Sequence, residues 1–121
     1  CCMALRPRQR SSRFRVGAPV VIDELCRAVL AVDRAVSALR QGAVAAAFLA
    51  ALDHAQAAVH QLPRGLTEQA LSALLYEIEE HRRRGCRDSP CLQTHIRIAA
   101  IAVAAEVKAR SEVTRWAARA R

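Results

Sequence analysis

The chain has 121 residues, of which 53% are hydrophobic and only 3% aromatic, and nineteen Lys+Arg against eleven Asp+Glu leave it a formal charge of +8. This length suits one compact domain, and the apolar content excludes a disordered tail or a collagen-like chain. Phe14, Phe48, Tyr76 and Trp116 are too few and too scattered for an aromatic single-strand binder.

Alanine supplies 26 residues, so much of the apolar total is small side chain and the helices must approach one another closely. The charge is uneven along the chain. Residues 1–19 hold five arginines and no acid (+5), residues 20–80 hold four arginines and eight acids (−4), and residues 81–121 hold ten bases and three acids (+7). Two basic ends around an acidic middle point to an anionic partner met by the ends.

Residues 1–19, with Pro7, Gly17 and Pro19 as breakers, read as a basic, flexible arm, and residues 20–121 as a single helical domain. The arm has no apolar run of the kind a secretory signal needs. The first periodic element runs from about Val20 to Gln41, where Ile22, Leu25, Val29, Val32, Val36 and Leu39 recur at alternating intervals of three and four, the seam of a packed helix. Gly42 marks its end.

The second helix spans about Ala43 to Leu62, with Val44, Phe48, Leu52, Ala55, Val59 and Leu62 on one face and alanines around it, a surface suited to close packing on two neighbours or another copy. Pro63-Arg64-Gly65 ends it. Thr67 is the expected N-cap of a third helix reaching Arg84, with Ala70, Leu71, Leu74, Leu75 and Ile78 inward. After Gly85, Ser89-Pro90 form a cap and first-turn pair for a fourth helix running to about Arg121 without Gly or Pro inside. The stretch Ile96 to Val107 reads as a buried, central core helix. At roughly half the ~20 residues a membrane span needs, it is too short to cross a bilayer. The fold class expected is all-α, a compact bundle of about four helices with a basic N-terminal arm and a long C-terminal helix, in a cytoplasmic protein.

His81, Cys86, Cys91 and His95 are spaced around the third helix-loop-fourth helix junction, and four N and S donors converging there are the chemistry of a closed, structural zinc site. A Cys86–Cys91 disulfide is the rival in an oxidising compartment. Cys26, beside Leu25, reads as a small buried hydrophobe. A di-metal carboxylate enzyme needs a Glu-x-x-His pair on two helices, and the sequence has none. No cysteine is matched to a base strongly enough for a nucleophile. We therefore expect no enzyme activity and, apart from the structural zinc, no cofactor.

The anion-binding candidates are the arm arginines Arg6, Arg8, Arg10, Arg13 and Arg15, the run Arg82-Arg83-Arg84 with Arg87 and Arg97, and Arg115 and Arg119 near the C-terminus. Arginine's planar fork suits phosphate oxygens. Glu79 and Glu80, four residues before Arg83 and Arg84, are positioned to neutralise those two partly, whereas Arg82 has no such partner. No sequence-reading motif occurs, so binding is expected to be backbone-led. In size, helicity and charge the chain resembles the small helical subunits of CRISPR effector complexes. The resemblance is one of shape and carries over no residue; with the charge distribution it implies a non-catalytic subunit of a larger ribonucleoprotein that binds a nucleic-acid backbone, RNA favoured over DNA, and touches other protein subunits or copies of itself. A helical scaffold or oligomerisation protein is the alternative.

Overall fold

The computed structural model describes the backbone of residues 18–120 and the side chains of residues 23–120. Within them the chain forms four helices and no strand: α1 (Ala18–Arg40), α2 (Ala45–His60), α3 (Leu66–Arg83) and α4 (Pro90–Ala120). The first seventeen residues, and with them Arg6, Arg8, Arg10, Arg13 and Arg15, lie outside the described residues. The helix α1 begins at Ala18 rather than Val20. Pro19 thus falls in the first turn, where a missing N–H costs no intrahelical bond.

Local chemistry explains the helix ends. The helix α1 closes with Gly42 at φ 67°, the Gly42 N–H bonded to the Leu39 carbonyl and the Ala43 N–H to the Ala38 carbonyl. The end of α3 repeats this arrangement: Gly85 has φ 72°, its N–H reaches the Arg82 carbonyl, and the Cys86 N–H reaches the His81 carbonyl at 2.8 Å. Both are Schellman turns, in which the left-handed residue is cheap only as glycine. At the start of α4 the Ser89 hydroxyl accepts the Leu92 N–H at 3.0 Å, the cap foreseen from Ser89-Pro90.

The helices pair as two hairpins, α1 on α2 and α3 on α4, with α3 also lying against α1 and α2. Leu25, Val32, Val36 and Leu39 of α1 are buried and Val29 packs beside them, as their spacing demands. The alanines that permit close approach are Ala28, Ala31 and Ala35 of α1 and Ala55 of α2, each at most 1% exposed. The run Ala45-Ala46-Ala47 faces solvent instead, and Val44 is exposed. Cys26 is exposed too, not buried as its neighbour suggested, because it lies one residue off the buried Leu25–Ala28 stripe.

Two further expectations are corrected. Thr67 is not the cap of α3: Gly65 holds that position without a side-chain bond, and Thr67 is the buried second residue of the helix, its hydroxyl 3.2 Å from Glu106 Oε1 and 3.4 Å from the Ala102 carbonyl of α4. Nor is α4 central. Only Leu92 and Ala99 of α4 are buried, with Ile96 and Val103 packed at the margin, while Ile98 is 50% and Ile101 64% exposed. The first three helices already fill the core with Leu, Phe, Val and Ala, so α4 covers one side of it and needs only one apolar stripe. Its 31 residues make it about 20 Å longer than the 18-residue α3 it lies along. Every residue from Ser111 to Ala120 is therefore exposed.

Candidate functional site

The turn after α3 determines what the four proposed zinc donors can do. His81, 2% exposed, is fully engaged: its Nδ1 lies 2.7 Å from the Glu77 carbonyl and its Nε2 2.6 Å from the Ser89 hydroxyl. Because Ser89 Oγ already accepts the Leu92 N–H, its own proton goes to Nε2, and Nδ1–H donates to the carbonyl. Both ring nitrogens are committed to locking the end of α3 to the first turn of α4. Cys86 turns away, its thiol 3.0 Å from the Asp88 carbonyl. The structure thus brings together Cys91 and His95 but not His81 and Cys86. The cysteines described, Cys26, Cys86 and Cys91, are free thiols, so no Cys86–Cys91 disulfide forms.

A third donor joins Cys91 and His95 from across the hairpin. Glu77 of α3 places Oε1 3.7 Å from Cys91 Sγ, and Cys91 Sγ is 3.8 Å from His95 Nδ1. One donor atom from each of Glu77, Cys91 and His95 lies within 4.8 Å of the others. In the sequence Glu77 stands out only as the residue one turn before His81. Its alignment with residues 91 and 95 depends on the antiparallel register of α3 and α4, which sequence spacing does not contain.

The two interhelical turns meet at this end of the bundle, and arginines bind them together. Arg82, which has Ile78 and not a carboxylate four residues before it, points inward: Nη1 donates to the Ala43 carbonyl at 2.7 Å and the guanidinium carbon sits 4.8 Å from the Phe48 ring centroid. That stacking and hydrogen bond engage it within the bundle. Arg83 pairs with Glu80, and Arg84 Nε donates to the Glu80 carbonyl at 3.4 Å. The Arg87 guanidinium crosses Gly42, in the space a β-carbon would take, and lines an open cleft of about 240 Å³ with Arg82 and Cys86. Arg40 reaches Asp88 at 3.4 Å. Desolvation pushes the Asp88 carboxyl up, but the Ser89 N–H, the Gln93 amide and Arg40 together outweigh it and hold the group below the usual aspartate value.

Exposed cations occur on every side of the bundle, Arg27 and Arg34 on α1 and Arg64 before α3 among them, but those of α4 fall into a row. Arg97, Lys108, Arg115 and Arg119 are all exposed, and their separations of eleven, seven and four residues keep them within roughly 40° of one another around the helix. They extend over about 33 Å of its length. The acids of α4 are Glu106 and Glu112; Glu106 faces the bundle and binds Arg110 at 2.8 Å. Beside the basic stripe Ile98, Val113 and Trp116 are also exposed. Sequence reading named Arg97, Arg115 and Arg119 but not Lys108, which completes the stripe; its spacing of seven residues before Arg115, two helical turns, is the signal that places it there.

No protein-family model matches the chain, and no curated protein or solved structure is significantly similar to it. No helix among the described residues is long and apolar enough to cross a membrane.

Proposed function

We propose that this protein is a non-catalytic helical subunit that binds the backbone of a nucleic acid, RNA in the first instance, within a larger assembly, and that α4 carries the contact. One observation supports the reading above others: the outward face of α4 presents Arg97, Lys108, Arg115 and Arg119 in a single exposed row. A row of cations along one helix face is the electrostatic footprint of phosphate binding. The end of α4 extends past α3, free of the bundle, so the row can lie along a strand without rearranging the core. Of the arginines at the end of α3, by contrast, Arg82 is spent within the molecule and Arg83 is paired with Glu80, while Arg84 and Arg87 stay exposed without forming a row.

A second reading rests on the exposed Ile98, Ile101, Val113 and Trp116. In it α4 buries against a protein with an acidic amphipathic helix, and the same cations meet carboxylates instead of phosphates.

The test is fluorescence anisotropy of a labelled single-stranded RNA and a labelled duplex DNA at several salt concentrations, using the full chain. Four phosphate contacts give a log–log slope of about −3 for the single strand and about −4 for the duplex. Replacing Arg97, Lys108, Arg115 and Arg119 together by Glu is expected to abolish binding while leaving the circular dichroism unchanged, since all four are exposed. No binding by the native chain at low salt refutes the nucleic-acid reading and favours the protein partner. Binding retained by the Glu variant but lost on deleting residues 1–17 moves the contact to the arm.

A further inference from the structure

We infer that Glu77, Cys91 and His95 form a three-donor site for a divalent transition metal, zinc foremost, with a fourth coordination position open. The inference is independent of the nucleic-acid reading, because none of the three residues belongs to the α4 basic row.

The geometry suits one ion. Bond lengths of about 2.3 Å to sulfur and 2.0 to 2.2 Å to nitrogen or oxygen, at tetrahedral angles, separate neighbouring donors by about 3.4 to 3.6 Å. The observed separations are 3.7 Å between Cys91 Sγ and Glu77 Oε1 and 3.8 Å between Cys91 Sγ and His95 Nδ1. Closing these two requires a few tenths of an ångström, and Glu77 and His95, whose donors lie within 4.8 Å, are brought together by side-chain rotation. Cys91 and His95 are one turn apart on α4, and Glu77 faces them from α3, so the ion also bridges the hairpin.

The donor chemistry selects the ion. A thiolate with an imidazole and a carboxylate prefers zinc, or cobalt in its place, over magnesium and calcium, which take oxygen donors. Two local changes accompany binding. The Cys91 thiol, now 3.7 Å from the Glu77 carboxylate, gives its proton to solvent. The His95 Nδ1, which lies 3.0 Å from the Cys91 carbonyl, exchanges that local hydrogen bond for the metal, and its proton moves to Nε2. Behind the donors, His81 binds the Glu77 carbonyl and Ser89 and so holds both helices at fixed register. Three protein ligands leave room for water or an exogenous donor, the coordination of an open rather than a closed zinc site.

The experiment is titration of the purified, reduced full chain with Co²⁺, read as the sulfur-to-cobalt absorption band, followed by displacement with Zn²⁺ against a competing chelator. The expected result is one ion per chain. Cys91→Ser and His95→Gln are expected to lose the band, and Glu77→Gln to weaken affinity at least tenfold. Cys86→Ser and the Cys1→Ser/Cys2→Ser pair are expected to bind as the native chain does. Circular dichroism of each apo variant confirms that helicity is kept; Cys91 is exposed, so its serine variant keeps the core intact. Absence of the band in the native chain, its survival in Cys91→Ser, or its loss in Cys86→Ser or the Cys1/Cys2 variant overturns the assignment.

Discussion

Replacing His81 by alanine distinguishes a structural lock from a metal ligand. The ring is 2% exposed and makes two hydrogen bonds that join α3 to the cap of α4. Each is worth about 0.5 to 1.5 kcal/mol net. Removing the buried ring also leaves a cavity, and at about 24 cal/mol per Å³ a void of roughly 40 to 70 Å³ adds about 1 to 2 kcal/mol. The variant should therefore be about 2 to 5 kcal/mol less stable. Urea unfolding followed by far-ultraviolet circular dichroism, with chelator present throughout, measures it as a lower midpoint at unchanged slope. Cys86→Ser, which touches only the exposed turn, should fall within about 0.5 kcal/mol of the native chain. The reasoning is refuted if His81→Ala loses less than about 1 kcal/mol in chelator, or if a larger loss appears only after metal is restored. The second result would return His81 to the donor set.

Two other outcomes follow from the geometry. Asp88 has its pKa lowered in the folded chain, so its contribution to stability is fully present above about pH 4 and is lost as pH falls through the folded value; Asp88→Asn should flatten the acid limb of a stability-against-pH curve below that point and leave the limb above it unchanged. Truncation before Ser111 removes only exposed helix, so the unfolding free energy should change by no more than about 0.5 kcal/mol. The same truncation removes Arg115 and Arg119, and the salt slope of RNA binding should become shallower by about 1 to 2.

Much of the architecture was legible from spacing. The alternation of three and four from Leu25 to Leu39 specifies a packed helix, and Gly42 and Gly85 sit where the chain must turn left-handed. Ser89-Pro90 starts α4 where a side-chain cap and a residue without N–H fit together. These features are decided within a few residues of chain, so the sequence states them directly. The site was less legible. Cys91 and His95 are one helical turn apart and could be paired from sequence alone, but Glu77 joins them only through the register between two helices.

Local order therefore determined the four helices, their ends and the two glycine turns. Tertiary packing decided the rest. It put α4 at the edge of the bundle, because three helices already filled the core and the mostly apolar stretch from Ile96 to Val107 could bury only one of its faces. It turned Arg82 onto Phe48 and the Ala43 carbonyl, engaging an arginine that spacing left without a partner. It spent both nitrogens of His81 on fastening α3 to α4. A side chain's charge and donor atoms are written in the sequence; whether they face solvent, a carbonyl or another donor depends on which helices meet and at what register.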